Sequence, residues 1–145
     1  LIKRMRASSY SLKEKNMKRQ ELREIVFKTL YQLENNKTEL TVEEAISYLV
    51  EDFKGEQYLY VKNYVNQVIE KSNELDDIFK PHLKNWTLER LLKTDRIILR
   101  MATYELEYTD TPEKVVFNEA VEISKTYSDD DHYKFINGVL SSLSK

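Results

Sequence analysis

The chain has 145 residues and a formal net charge of −2, with 41% hydrophobic and 33% charged residues, which suits a soluble protein of one domain. The absence of cysteine excludes disulfides and thiolate metal sites and fits a cytoplasmic location, and no apolar run approaches the roughly 20 residues that span a bilayer. Only two glycines and two prolines are present, which argues against an all-β fold because its many turns need those residues.

Positive charge is concentrated at the amino-terminal end. Up to position 23 only two acids oppose the basic residues, which are Lys3, Arg4, Arg6, Lys13, Lys15, Lys18, Arg19 and Arg23. This asymmetry favours a polyanionic partner at that end, and a solvated basic tail is an equally good interpretation. Residues 1–16 have no hydrophobic period, so we interpret them as a flexible basic arm or an artificially added leader before Met17.

Helical spacing of apolar residues begins immediately after that arm. Residues 18–35 form the first predicted helix. Thr41 and Glu44 have the spacing of a capping box, which predicts the start of a second helix whose apolar stripe runs to Phe53. Gly55 suits the left-handed position that closes such a helix.

The middle of the chain predicts shorter elements. Residues 58–69 form a third helical pattern, and residues 75–79 form a short fourth one that Pro81 stops. Thr87 is the predicted cap of a brief helical segment over residues 88–92.

Three further helices complete the pattern. The first has a core face over residues 98–106, with Asp95 at its cap or in its first turn, and the second starts at Pro112. The last places Phe135 or Ile136 in the core. The sequence therefore predicts an all-α protein of about seven helices.

The last predicted helix begins with a cation beside an aromatic ring. Lys134 and Phe135 follow an acidic turn, and such a pair near a helix start commonly holds an unstacked RNA base and its phosphate. A buried Phe135 is the more common arrangement when the residues are considered alone. The next residue, Ile136, can fill the core position instead, which would leave Phe135 at its edge.

The acidic turn itself contains Asp129, Asp130 and Asp131, followed by His132. A metal cluster is one interpretation. We favour helix capping, because adjacent carboxylates at a helix start point apart and suit the positive end of the dipole.

Nothing in the sequence predicts catalysis, metal binding or a cofactor. There is no glycine-rich phosphate loop and no cysteine, and the two histidines, His82 and His132, lie in different segments. We therefore expect a protein that is not an enzyme.

Six segments of the sequence are weak signals when each is taken alone and a strong signal when they are taken together. They are Arg23-Glu24 with Leu30-Tyr31-Gln32, residues 81–86, residues 91–106, Pro112 with Lys114-Val115, residues 118–122 and residues 135–140. Together, in order across residues 17–145, they resemble the NusB family of bacterial transcription antitermination factors.

The resemblance implies both a fold and a function. The fold would consist of two helical subdomains packed across each other. The protein would bind the boxA element of nascent single-stranded RNA with NusE, a ribosomal small-subunit protein. That complex would join the RNA polymerase antitermination complex and suppress premature termination, notably in rRNA operons. The family includes both monomers and homodimers, so a homodimer stays open.

The resemblance also implies RNA-binding residues. Lys18, Arg19 and Arg23 would contact phosphates, although they could instead form a solubilising helix end, and Lys134 and Phe135 match positions that touch RNA. We expect these five residues to form one cradle for a single-stranded transcript.

Candidate contacts with NusE lie elsewhere. Asp95, Arg96 and Arg100 share one side of their predicted helix, which could equally be an ordinary solvated face, and Tyr31 is a further candidate.

Three other family-matched residues are assigned structural roles: Trp86 as an anchoring ring, Tyr104 as a packed ring and Asn118 as a buried amide. The chain departs from the family pattern in two places. Its first helix has fewer arginines, and Ser128 follows Tyr127 where glycine is common.

Two alternative functions stay open. One is a helical module that binds only protein. The other is an RNA-binding domain related to the NusB-like domains of rRNA methyltransferases, although we expect no catalytic domain in a chain that ends at Lys145.

Overall fold

The computed structural model describes residues 16–35, 39–129 and 131–144. Over these ranges the chain forms two single 3-10 turns, Lys80–His82 and Leu88–Arg90, and no strand. The α-helices of the described chain are α1 (Arg19–Asn35), α2 (Val42–Leu49), α3 (Glu56–Glu70), α4 (Ser72–Phe79), α5 (Lys93–Tyr108), α6 (Glu113–Tyr127) and α7 (His132–Leu143). The all-α prediction is confirmed, whereas residues 1–15 of the expected basic arm and Asp130 lie outside the described residues.

The chain divides into two compact units, Leu1–Ile69 and Glu70–Lys145. The described part of the first unit consists of α1, α2 and nearly all of α3, and α1 packs against α2. Each helix contributes apolar side chains to the buried set, which includes Leu22, Ile25, Val26, Phe27, Ala45, Ile46, Val61 and Val65. Burying such side chains is the main source of stability for short helices.

The predicted capping box starts α2. The amide of Glu44 donates to Thr41 Oγ1 at 3.1 Å, and the amide of Thr41 donates to Glu44 Oε1 at 3.0 Å. This helix ends at Leu49, earlier than predicted, because Val50 is already extended with φ −137° and ψ 118°. The pattern is therefore right about the start of α2 and wrong about its length.

Gly55 is left-handed, with φ +90°, but it does not close α2. It directly precedes α3, and its carbonyl accepts the amide of Leu59 at 3.0 Å. The glycine therefore begins α3, which corrects the prediction that it ends the preceding helix.

In the second unit α5 is the central helix. It packs against α4, α6 and α7, and α7 also contacts the turn Lys80–His82. Because it has neighbours on several sides, α5 is buried around much of its circumference. Its buried apolar residues are Ile97, Ile98, Leu99, Met101, Ala102 and Tyr104.

Several local predictions need correction. Residues 88–92 do not form a helix but a single 3-10 turn, and the Thr87 side chain makes no capping hydrogen bond. Asn118 is exposed rather than a buried amide, whereas Tyr104 is buried as predicted. None of the described helices is long and apolar enough to cross a membrane.

Candidate nucleic-acid interface

Three consecutive residues near the start of α7 have three different environments. Ile136 is completely buried, Phe135 is half-buried and the Lys134 side chain is 67% exposed. Successive residues of a helix point about 100° apart, so a helix packed on one side produces this gradation. The core needs only Ile136, which leaves the ring of Phe135 accessible at the edge beside an exposed ammonium group.

Trp86 lies next to Phe135. The two ring centroids are 6.3 Å apart with an interplanar angle of 64°, an edge-to-face contact. Trp86 is 53% exposed, so it is far less enclosed than the predicted anchoring ring. The second unit therefore presents two neighbouring aromatic rings to solvent.

The turn that carries Trp86 is held in place by its neighbours. Leu83 is buried, and its carbonyl accepts the amide of Trp86 at 3.2 Å. One turn earlier, His82 Nδ1 and Ser142 Oγ form a hydrogen bond of 2.7 Å that ties this segment to α7. Both aromatic rings are thus mounted on backbone that is fixed by local contacts.

Asp95 joins the first turn of α5 to the start of α7. Its Oδ1 accepts Ser128 Oγ at 3.2 Å, and His132 Nδ1 lies 2.8 Å from its Oδ2. Only 2% of Asp95 is exposed. This corrects the expectation that Asp95 faces a protein partner, because its carboxylate is occupied in positioning the α6–α7 turn.

In the acidic turn before α7, the described residue at the capping position does not cap that helix through its side chain. Asp131 occupies the capping position, but it is left-handed with φ 71° and makes no side-chain capping bond. Its Oδ1 lies 3.5 Å from Lys134 Nζ, and both side chains are exposed. Within the described ranges, no group of three or more His, Cys, Asp or Glu residues could hold a metal ion.

Arg100 also has an intramolecular role that sequence reasoning missed. Its Nε and guanidinium amine donate to the two carboxylate oxygens of Asp76 at 2.7 and 2.8 Å, which links α5 to α4. A bidentate pair of this kind is geometrically specific. Arg100 therefore has a structural role in the second unit. Arg96, Arg100 and Tyr31 are all half-buried, and their contact with a protein partner stays a prediction.

Lys18 and Arg19, two of the predicted phosphate contacts, are exposed in the first unit. The guanidinium carbon of Arg19 lies 3.8 Å from the centroid of the Tyr60 ring, a cation–π contact that orients it. Next to them, Gln57 holds the backbone of Met17 through hydrogen bonds of 3.2 and 2.7 Å. Contacts with α3 therefore position the start of α1.

Arg23 does not fit the same role. It is only 5% exposed, which corrects the expectation that it contacts phosphate. Burial on α1 extends to Lys28, whose side chain is 0% exposed and whose Nζ lies 3.3 Å from Glu24 Oε1. Desolvation lowers the pKa of Lys28, and the attraction of Glu24 offsets part of that effect. The spacing of four residues between Glu24 and Lys28 was the available sequence signal for this pair.

The profile of the NusB family matches residues 20–145, which is most of the chain. The chain belongs to the NusB family. Relatives named "Transcription antitermination protein NusB" include one from Staphylococcus haemolyticus, 55% identical over 127 residues, which cover 88% of this chain and 99% of the relative. Another, from Staphylococcus aureus, is 54% identical over 129 residues, which cover 89% of this chain and 100% of the relative.

Solved structures agree with this NusB assignment. The structure of T. maritima NusB superposes with a TM-score of 0.79 at 34% identity, covering 88% of this chain and 91% of that one. A second chain, in a structure described as "Crystal Structure of a Plectonemic RNA Supercoil", has a TM-score of 0.73 at 31% identity and covers 86% of this chain and 92% of its own. The predicted family and fold class are thereby confirmed.

Within this NusB-family chain the exposed and half-buried candidates for RNA contacts form two groups. Lys18 and Arg19 belong to the first unit, and Lys134 and Phe135 belong to the second. Trp86 joins the second group through its contact with Phe135. The expectation that all candidates contact one RNA stays a prediction.

Proposed function

We propose that this chain is a transcription antitermination factor that binds single-stranded boxA RNA together with NusE. In this proposal it helps RNA polymerase resist termination, especially in rRNA operons, and it catalyses no reaction. The observation that carries the proposal is the accessible ring of Phe135 beside the exposed ammonium group of Lys134. The names of the Staphylococcus relatives support the same role.

An unpaired base fits the ring of Phe135 because every base offers a π-face. A base stacked on an aromatic side chain contributes about 1–3 kcal/mol to binding, with little dependence on sequence. The neighbouring phosphate can then approach Lys134. Its present ion pair with Asp131 is long and exposed, so replacing that pair with a phosphate contact costs little.

Lys18 and Arg19 supply the sequence-independent part of the proposed interaction. Both are exposed, and cations that neutralise phosphates release counterions, so their contribution falls as salt rises. The cation–π contact with Tyr60 limits the conformations of Arg19 and thereby reduces the entropy that binding would cost.

The protein partner adds affinity that this chain lacks alone. The chain carries a net charge of −2, so long-range attraction for a polyanion is weak and we expect modest binding to RNA without NusE. Arg96, Arg100 and Tyr31 are the half-buried candidates for contacts with NusE. A partner that touches both the chain and the RNA raises the combined affinity through effective concentration.

The proposal is tested by fluorescence anisotropy with a labelled boxA oligonucleotide and a scrambled oligonucleotide of the same composition, each with and without purified NusE. We expect weak but selective binding of boxA by the chain alone and at least tenfold tighter binding with NusE. NusE binding without any preference for boxA would instead indicate a module that binds only protein. Absence of binding to both RNA and NusE would contradict the proposal.

A further inference from the structure

We propose that Trp86 is a second base-stacking residue, which binds an unpaired RNA base beside the base held by Phe135. The inference rests on the proposed RNA-binding function and adds a residue to that site. It starts from the edge-to-face contact of the two rings, whose centroids are 6.3 Å apart.

The contacts around Trp86 give no structural reason for its exposure. The core on either side of this segment is filled by Leu83 and Leu91, which are both buried. Trp86 leaves 53% of its surface in solvent, although an indole ring gains more than almost any side chain from burial. Its free surface is therefore available to a ligand with a flat apolar face.

The ring is also held ready for such a ligand. The Phe135 contact supports one side of the indole, and the backbone turn from Leu83 to Trp86 is closed by a hydrogen bond of 3.2 Å. The bond between His82 and Ser142 fixes the same segment to α7. Because the platform is formed before binding, stacking a base on it needs little further ordering.

The charge around Trp86 identifies a polyanion as the ligand. Residues 80–90 contain Lys80, Lys84 and Arg90 but only one acid, Glu89, so this segment carries a net charge of +2 in a chain whose total is −2. All three of these cations are exposed. Flat bases joined by phosphates match this pairing of rings and cations, and the bases must be unpaired for their faces to be free.

An exposed aromatic ring is not always surrounded by positive charge in this protein. Tyr48 is strongly exposed, but it lies on α2 in a segment that contains Glu43, Glu44 and Glu51. A cluster of that sign repels phosphate. Tyr48 is therefore a suitable control position for an aromatic ring that should not contact RNA.

Trp86 is the single tryptophan of the chain, so its fluorescence reports on this position alone when excited away from the tyrosine band. We expect titration with boxA RNA to change that emission with the same midpoint as the anisotropy of the labelled RNA. The Trp86→Ala variant should bind boxA RNA roughly tenfold more weakly, Trp86→Phe should retain most of the affinity, and Tyr48→Ala should match the wild type.

Oligonucleotides with one abasic position assign the stacked base. In the wild type, removing the base that stacks on Trp86 should weaken binding roughly tenfold, and in Trp86→Ala the same removal should have almost no further effect. Thermal melting of each variant separates a loss of binding from a loss of folding. If Trp86→Ala fails to fold, the tryptophan fluorescence of the wild type still tests the role of Trp86.

The outcomes distinguish this inference from the function on which it rests. Selective boxA binding with unchanged tryptophan emission at saturation, or with full affinity in a folded Trp86→Ala, overturns the role of Trp86 and leaves the proposed function standing. Absence of selective boxA binding in the wild type, with and without NusE, overturns both.

Discussion

Lys28 shows how a single residue on α1 carries an energetic cost that the helical pattern hides. Its side chain is fully buried, and its carboxylate partner Glu24 is partly exposed. A buried ion pair is often no more stabilising than apolar residues of the same volume, because both charges lose water.

We therefore expect Lys28→Met to raise the free energy of unfolding by about 1 kcal/mol at neutral pH. Methionine fills a similar volume, and Glu24 can be hydrated once the lysine is gone. Urea denaturation measures the change, with Lys114→Met, an exposed position on α6, as the control that should stay within about 0.5 kcal/mol of the wild type.

The advantage of Lys28→Met should depend on pH with a defined sign. Burial lowers the pKa of Lys28 in the folded protein below its ordinary value of 10.5. At a pH between the folded pKa and 10.5, the unfolded wild type therefore binds more protons than the folded one. Wild-type stability then rises with pH across that interval, and the difference from Lys28→Met should shrink as pH approaches 10.5. A difference that grows with pH would contradict this assignment.

At the scale of elements, the α6–α7 connection is fixed by one carboxylate from α5. Asp95 holds both Ser128 and His132, which lie 33 and 37 residues further along the chain. These contacts set where α7 begins, and with it the placement of Lys134 and Phe135. Asp95 is thus a positioning residue for the proposed RNA site.

The Asp95→Asn substitution keeps the shape and removes the carboxylate. We expect it to lower the free energy of unfolding by about 1.5–3 kcal/mol, the range for hydrogen bonds to charged groups, and to weaken boxA binding through displacement of the α7 start. Calorimetric melting and RNA anisotropy measure the two effects. Glu107→Gln, an exposed acid at the other end of α5, is the matched control, and unchanged melting of Asp95→Asn would refute the positioning role.

Elements were predictable where local chemistry determines them. The capping box at Thr41 and Glu44 was readable because both partners lie within one turn of each other. The segment 88–92 was misread because its leucines have helical spacing, yet one 3-10 turn suffices to bury Leu91 and leaves Leu92 exposed. Gly55 was misassigned because a left-handed residue can precede a helix as well as follow one.

At the scale of the whole molecule, family membership and the all-α fold followed from motifs spread over the chain. The exposure of individual charges did not follow. Asp95 and Arg100 look like surface charges on a helix, and only the fold shows that their partners, such as Asp76, come from distant segments. The exposure of Trp86 was equally hidden, because a tryptophan in a sequence is normally expected to be buried.

The central claim is that RNA binds at the start of α7 through the accessible ring of Phe135. The most direct test compares boxA affinity and melting temperature for the wild type, Phe135→Ala and Ile136→Ala. The two variants truncate neighbouring apolar side chains on the same helix.

We predict that Phe135→Ala binds boxA RNA roughly tenfold more weakly with little change in melting temperature, because its half-buried ring serves the ligand more than the core. Ile136→Ala should instead lose stability, by about 2–5 kcal/mol, because it empties a fully buried position. A large drop in melting temperature for Phe135→Ala with RNA affinity intact would contradict the account.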